Sequence, residues 1–448
     1  MKRYSLYILL MLLSVTACKE VLEPTPYDIR IDELALKRAD DVPSVRIGLY
    51  SAFRGIAASL VIAGDFTADM IQHNGTFSDY RELGTKQITS TNGVVGGLWG
   101  SIYRTAYVAN FILERLPQVT GVSEANRKQV TAEAKFLRAL AYFYGAYTYG
   151  DIPLVTTTDQ AANSNIPRTP KAQVLAAVLA DYQAALPDLP VRPSGGVAYV
   201  SKQTVYAAMA RYYLYQKNWQ QAETNASLVI SSGQFTLPAD FETVVLRNFT
   251  SESIFEVGYT INDDAGTLTN LFVTRREVIP SNQVVAALVS NEAGTRVATI
   301  TFNAQQQRGN DNGWTVRKYG TALEDNANLV IFRLAEMYLI RAEARAQLGR
   351  LTGVNGAIAD INVLRTRAKA PTITTGSQSD ILLAIERERV YELAFEGHRW
   401  YDLVRTGRAQ AVMSAFSPNW NNRYELWPIP QSETQRNPAL RGAQNPGY

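Results

Sequence analysis

Residues 201–231 and 329–368 carry the same arrangement of small and aromatic residues at helical spacing, and this repetition limits the fold more than any other feature. The first stretch runs through Ala208, Tyr212, Leu214, Trp219, Ala222 and Ala226. In the second the pattern returns as Ala335, Tyr338, Ala342, Ala346, Leu348, Gly349 and Ala357. Each reads as a helix, a tight turn and a second helix, because apolar positions recur every three or four residues and small residues let two helix axes approach closely. A degenerate tetratricopeptide-type repeat has this logic: no hairpin buries its apolar face alone, so the hairpins stack. Residues 171–186 and 381–407 read as further helices of the array, and helical periodicity also marks 42–58 and 98–116. In 126–149, Ala132, Phe136, Ala139 and Phe143 share a face, and Gly150-Asp151-Ile152-Pro153 supplies the stop. The expected fold is mostly α, with tetratricopeptide-like helix pairs forming an α-α superhelix.

Residues 232–328 differ in texture. Short alternating runs such as 253–259 are separated by Gly, Asn and Asp clusters at 262–266 and 309–313, which are strand and loop signals. A long polar and aromatic insertion in a helical scaffold is where binding function tends to sit. The N-terminus reads differently again. Lys2 and Arg3 precede a short apolar run, and Val15-Thr16-Ala17-Cys18 looks like a lipobox, so residues 1–17 form a lipoprotein signal peptide and Cys18 is acylated. That run is too short to span a bilayer, and no later stretch is expected to. Residues 18–30, with Pro24 and Pro26, read as a lipidated linker. The body beyond residue 30 is expected to be one integrated domain made of 31–231, the insertion 232–328 and 329–448.

Cys18 is the chain's only cysteine, which excludes intrachain disulfides and thiol catalysis. A net charge of +3 with both signs well mixed argues against nucleic acid, which calls for a clustered basic patch.

The C-terminal third contains Arg341-Ala342-Glu343-Ala344 and Ile361-Asn362-Val363-Leu364-Arg365-Thr366-Arg367-Ala368. Glu392-Leu393-Ala394-Phe395-Glu396-Gly397-His398-Arg399-Trp400-Tyr401-Asp402-Leu403 and Leu426-Trp427-Pro428-Ile429-Pro430 follow. In the N-terminal half stand Ala134-Lys135-Phe136-Leu137-Arg138-Ala139 and Tyr149-Gly150-Asp151-Ile152-Pro153-Leu154. In order and spacing these runs resemble the SusD/RagB family of outer-membrane nutrient-binding lipoproteins. The resemblance implies helix pairs with an irregular, ligand-facing region of loops and short strands. It also implies a non-catalytic protein that captures a glycan and delivers it to a SusC-like TonB-dependent transporter, anchored in outer-membrane lipid through Cys18. Lys19 and Glu20 resemble an export signal to the cell exterior. Trp400 and Trp427 belong to the framework of that family and are expected in the core.

The residues also admit other readings: a tetratricopeptide-type surface scaffold with no small ligand, a binder of a non-glycan nutrient such as peptide, or a glycosidase. Glycosidases need two carboxyl groups across a cleft, roughly 5 to 9.5 Å apart. Glu388, Glu392 and Glu396 instead recur every four residues beside Glu386, Arg387, Arg389 and Arg399, which reads as a salt-bridged helix face. Of the two histidines, His398 reads as structural and His73 as a loop residue placed for contact. Sugar binding needs flat aromatic faces with amide, carboxylate and guanidinium groups around them. Two loops offer that mixture: 69–81, with Asp69, His73, Asn74, Phe77, Tyr80 and Arg81, and 303–319, with Asn310, Asp311, Asn312, Trp314 and Tyr319. Stacking and neutral hydrogen bonds are expected to dominate, so that modest salt matters little. No cofactor is expected, and the Asn- and Asp-rich loops leave a structural calcium ion open.

Overall fold

The computed structural model describes residues 35–259, 266–320 and 327–448. The signal peptide, Cys18 and the linker lie outside the described residues, as does most of the Asn-Asp cluster at 262–266.

Helix α1 (Val42–Val61) has Pro43 in its first turn, where a missing N–H leaves no hydrogen bond unmade. It buries Leu49, Phe53, Ile56, Ala57 and Leu60. Contrary to the sequence reading, the stretch Ala39–Phe66 is long and apolar enough to cross a membrane by length and composition. In the fold many of those apolar residues face the core, while Ile47 stays exposed. After a π-helical turn (Ile62–Phe66) come β1 (Ile71–His73) and α2 (Ser78–Thr85). Next are α3 (Gly93–Arg115), capped by the Asn92 side chain, and α4 (Glu124–Tyr149), capped by Ser123. Gly150, at φ 78°, ends α4 in a conformation that favours glycine. Helices α5 (Lys171–Ala185), α6 (Lys202–Tyr215) and α7 (Trp219–Ser231) complete the N-terminal array.

The insertion holds β2 (Ser253–Val257), β3 (Val278–Pro280), α8 (Asn282–Leu288), β4 (Ile300–Phe302) and β5 (Trp314–Val316). Then β6 (Leu329–Arg333) leads into α9 (Leu334–Gln347), α10 (Ala357–Arg367), α11 (Gln378–Glu392), α12 (Arg399–Arg405) and α13 (Ala409–Phe416). The fold is mostly helical, as the periodicity predicts. From α3 to α7 each helix packs on the next, α7 packs on α9, and α9 on α10 and α11. The array therefore bridges the insertion. The strands form antiparallel pairs, β1 with β3, β2 with β6 and β4 with β5.

Most α4 tyrosines serve packing, and their hydroxyls find partners. Tyr142 donates to Val155 O at 2.6 Å, Tyr149 donates to Val95 O at 2.5 Å, and Tyr147 accepts from Gln216 Nε2 at 2.6 Å. Full burial of an aromatic side chain contributes roughly 1.5–3 kcal/mol, and a bonded hydroxyl keeps that gain.

Two element predictions change. Residues 329–333 are not the start of a helix: they pair with β2, whose residues are all buried, and β-branched Val330 and Ile331 suit that place. Residues 381–407 are not one helix either. A turn divides α11 from α12, with Phe395 at φ 64° and Gly397 at φ 82°. At Gly397 a Cβ would stand 2.6 Å from Leu60 O, and at Gly64 one would stand 1.9 Å from Gly397 O. Only glycines permit this contact with the end of α1. Asp65 secures it, accepting from Gly397 N at 2.7 Å and Arg399 N at 3.2 Å.

Glu386 meets the expected Arg399 at 3.1 Å, but the other glutamates find other partners. Glu396 lies beyond α11, and the ion pairs join separate elements rather than one helix face. Arg296 Nε meets Glu392 Oε2 at 2.8 Å, and Arg365 Nη1 meets Glu388 Oε2 at 3.0 Å. Arg333 bridges Glu392 at 2.7 Å and Glu396 at 2.8 Å. Trp400 and Trp427 are fully buried.

Candidate functional site

The two candidate loops are far apart in sequence and are joined by β3. In the β1–β3 ladder His73 pairs with Val278 and Ile71 with Pro280, which lays Arg276 and Glu277 beside Asn74 and Gly75. Glu277 is the peg. Its carbonyl accepts from Asn74 N at 2.9 Å and Gly75 N at 3.0 Å. Its carboxylate accepts from Phe77 N at 2.5 Å and meets His73 Nε2 at 3.1 Å. A Cβ at position 75 would fall 2.0 Å from Glu277 Oε2, so the loop needs Gly75 for this approach.

Arg276 ties in the second loop. Its Nε and Nη2 donate to both Asp311 oxygens at 2.8 and 2.6 Å, and Nη2 also reaches Trp314 O at 3.0 Å. Asn74 Nδ2 donates to Asp311 Oδ2 at 3.2 Å, linking the loops directly. Burial pushes the Asp311 pKa up, but the hydrogen bonds from Arg276 and Gly313 N and the Arg276 charge hold it below the usual carboxylate range. Asn312 Nδ2 donates to Pro280 O at 2.8 Å and Asn282 Oδ1 at 3.0 Å. Its own Oδ1 accepts from Trp314 N at 3.1 Å.

This framework presents an aromatic face. Phe77 is 39% exposed and stands 6.3 Å from half-buried Tyr80, which stacks on Phe66 at 6.2 Å. Burial, and then the charges of Asp79 and Glu277, raise the Tyr80 pKa. The β4–β5 register sets Phe302 opposite Trp314, with ring centroids 5.2 Å apart, and Phe302 is 46% exposed. Arg81 is exposed at the start of α2.

His73, Asn74, Phe77, Tyr80, Arg81, Asn312 and Trp314 are thus gathered into one region, and two candidates stand apart. Tyr319 is 4% exposed, stacks on Phe272 at 6.0 Å and donates to Phe395 O at 2.6 Å. No face of its ring is open to stack on a sugar. Asp69 is clasped by Arg399 at 2.9 and 3.1 Å, so its carboxylate positions the chain rather than reaching outward. The sequence reading also missed Phe302, one residue before its second loop, and Arg275, whose guanidinium lies 4.4 Å over Phe77. The period-two run Ile300-Thr301-Phe302 was the available signal for the first.

The carboxylates of Glu388, Glu392 and Glu396 are each paired with cations. Burial and nearby Arg211 and Arg389 push the His398 pKa well below its ordinary value, which fits a structural imidazole. Among the described residues no group of three or more His, Cys, Asp or Glu is placed to share a metal ion.

An α-α superhelix carrying two braced loops, one ahead of the insertion and one within it, defines a helical-repeat scaffold. Comparison with known proteins makes the class specific. The model described as "SusD family" matches residues 292–448, and "Starch-binding associating with outer membrane" matches residues 41–214. This chain belongs to the SusD family. SusD-like protein P2 of Formosa agariphila is 27% identical over 100% of both chains. A solved laminarin binding SusD-like protein is 25% identical with a TM-score of 0.77, covering 92% of this chain and 100% of that one. A SusD superfamily protein from Bacteroides vulgatus, 21% identical, superposes with a TM-score of 0.81 over 92% of this chain and 100% of its own.

Proposed function

We propose that this protein captures an oligo- or polysaccharide at the surface of the outer membrane and delivers it to a SusC-like TonB-dependent transporter. The observation that carries the reading is a pair of loops, bearing the aromatic pairs Phe77–Tyr80 and Phe302–Trp314, joined by the Glu277 peg and the Arg276–Asp311 clip. Flat rings stack on the CH faces of pyranoses, while the Asn74 and Asn312 amides brace the loops that carry them. The family description, which names starch and the outer membrane, and the laminarin-binding neighbour support a glycan as cargo. Acylation of Cys18 anchors the body, and the tether keeps it at high effective concentration beside its transporter. No step of this function is chemical, so purified protein should release no reducing sugar.

Isothermal titration against a polysaccharide panel tests the proposal. Saturable binding of at least one glycan is expected. Peptide binding with no glycan binding would overturn the choice of cargo.

A further inference from the structure

Around the candidate face the carboxylates and the cations are unequally partnered. Each described carboxylate there is already committed. Asp311 is held bidentate by Arg276, Glu277 is buried against His73 and Phe77 N, and Asp79 accepts from Gly93 N at 3.2 Å. Glu82 accepts from Thr89 and Asn92.

The cations are not so committed. Arg275 is exposed and lies over the Phe77 ring at 4.4 Å, with no carboxylate partner among the described residues. Arg81 is exposed, and its guanidinium donates to Thr76 O at 3.4 Å in the same loop. Arg308 is exposed beside Asp311, where their backbones form a bridge. Elsewhere the chain pairs many of its arginines, as with Arg138 and Asp181 or Arg341 and Asp360. Here three guanidinium groups are left to solvent around exposed rings.

We infer that the glycan is anionic, carrying carboxylate or sulfate groups read by Arg81, Arg275 and Arg308. This rests on the glycan-binding reading and reverses the expectation that salt matters little. Guanidinium groups match both anions with paired N–H donors, while the rings take the sugar faces between them. The energy is partly coulombic, so it weakens as the screening length shortens.

The test is titration of the full-length protein with matched ligands. Polygalacturonate and its methyl ester differ by a methyl group that removes the carboxylate charge, and chondroitin sulfate and its desulfated form differ in sulfate. At least one charged form should bind about tenfold more tightly than its partner, and the arm that shows this identifies the anion. Raising NaCl from about 50 to about 500 mM should weaken that binding about tenfold. Arg275→Ala with Arg81→Ala should erase the preference for charge, with unchanged melting temperature. Equal, salt-independent binding of charged and neutral forms that survives the double variant would overturn the anionic assignment and leave the glycan reading standing. Failure of every glycan would overturn both. Arginine variants that bind all glycans normally but lose retention on the transporter would also overturn it, assigning the charge to the partner.

Discussion

Glu277 does its work from beneath the surface, fixing the loop through Phe77 N and His73 while staying buried. Exposed rings and buried polar pegs therefore predict different phenotypes. Tyr319→Phe removes a buried hydrogen bond and should cost about 1 kcal/mol of stability, leaving glycan affinity unchanged by titration. Burial raises the Asp65 pKa from 3.8 to about 7, against the pull of the Gly397 and Arg399 N–H groups. A raised folded-state value means that the native state holds the proton more tightly. Its contribution is then full below the unfolded value and is lost as pH rises through about 7. The stability of wild type relative to Asp65→Asn should fall between pH 4 and 7 in urea melts, and a flat difference would contradict the assignment. At this scale the sequence was half legible. Phe77 and Trp314 stood out as aromatics among Gly, Asn and Asp. Tyr319, a loop aromatic of the same kind, plugs the core instead, because a long insertion needs its own apolar anchors. Asp69 looked available because Arg399, its partner, is 330 residues away in sequence.

The β1–β3 ladder and the β4–β5 hairpin act as one unit through the Arg276–Asp311 clip. Asp311→Ala should loosen the hairpin, weakening glycan binding about three- to tenfold and raising amide exchange in 300–316 but not in α3 or α4. On the other side of the insertion, α11 is bound by charge as well as packing. Glu392 is fully buried between Arg296, Arg333 and Arg367, which hold its carboxyl far below the ordinary range against the cost of burial. Glu392→Gln leaves buried cations uncompensated and should cost about 3–5 kcal/mol, read by urea titration. The helices were legible because apolar spacing, caps and stops are local. Strand pairing and the break after Glu392 were not. The break depends on Gly397 passing within contact of Leu60 in another helix, and β6 depends on a partner strand across the insertion.

On the scale of the whole molecule, the helical array carries the framework, and loop 69–81 and the insertion are tied together at its edge. One hydrophobic cluster includes both Leu36 and Leu440, so the array and the C-terminal motifs share a core. This is why the motifs were readable as a family pattern while the ligand was not: Trp400, Trp427 and Gly397 answer to packing, whereas exposed loop residues are free of that constraint. Cys18→Ala should bind glycan normally in solution but fail to remain on cells, as followed by fractionation.

The most direct measurement is calorimetric titration of wild type and the Phe77→Ala, Trp314→Ala double variant with whichever glycan the wild type binds. Aromatic stacking on this face predicts a loss of affinity of about a hundredfold, near 3 kcal/mol, with the same melting temperature. Undiminished binding by a folded double variant would show that the cargo is held elsewhere.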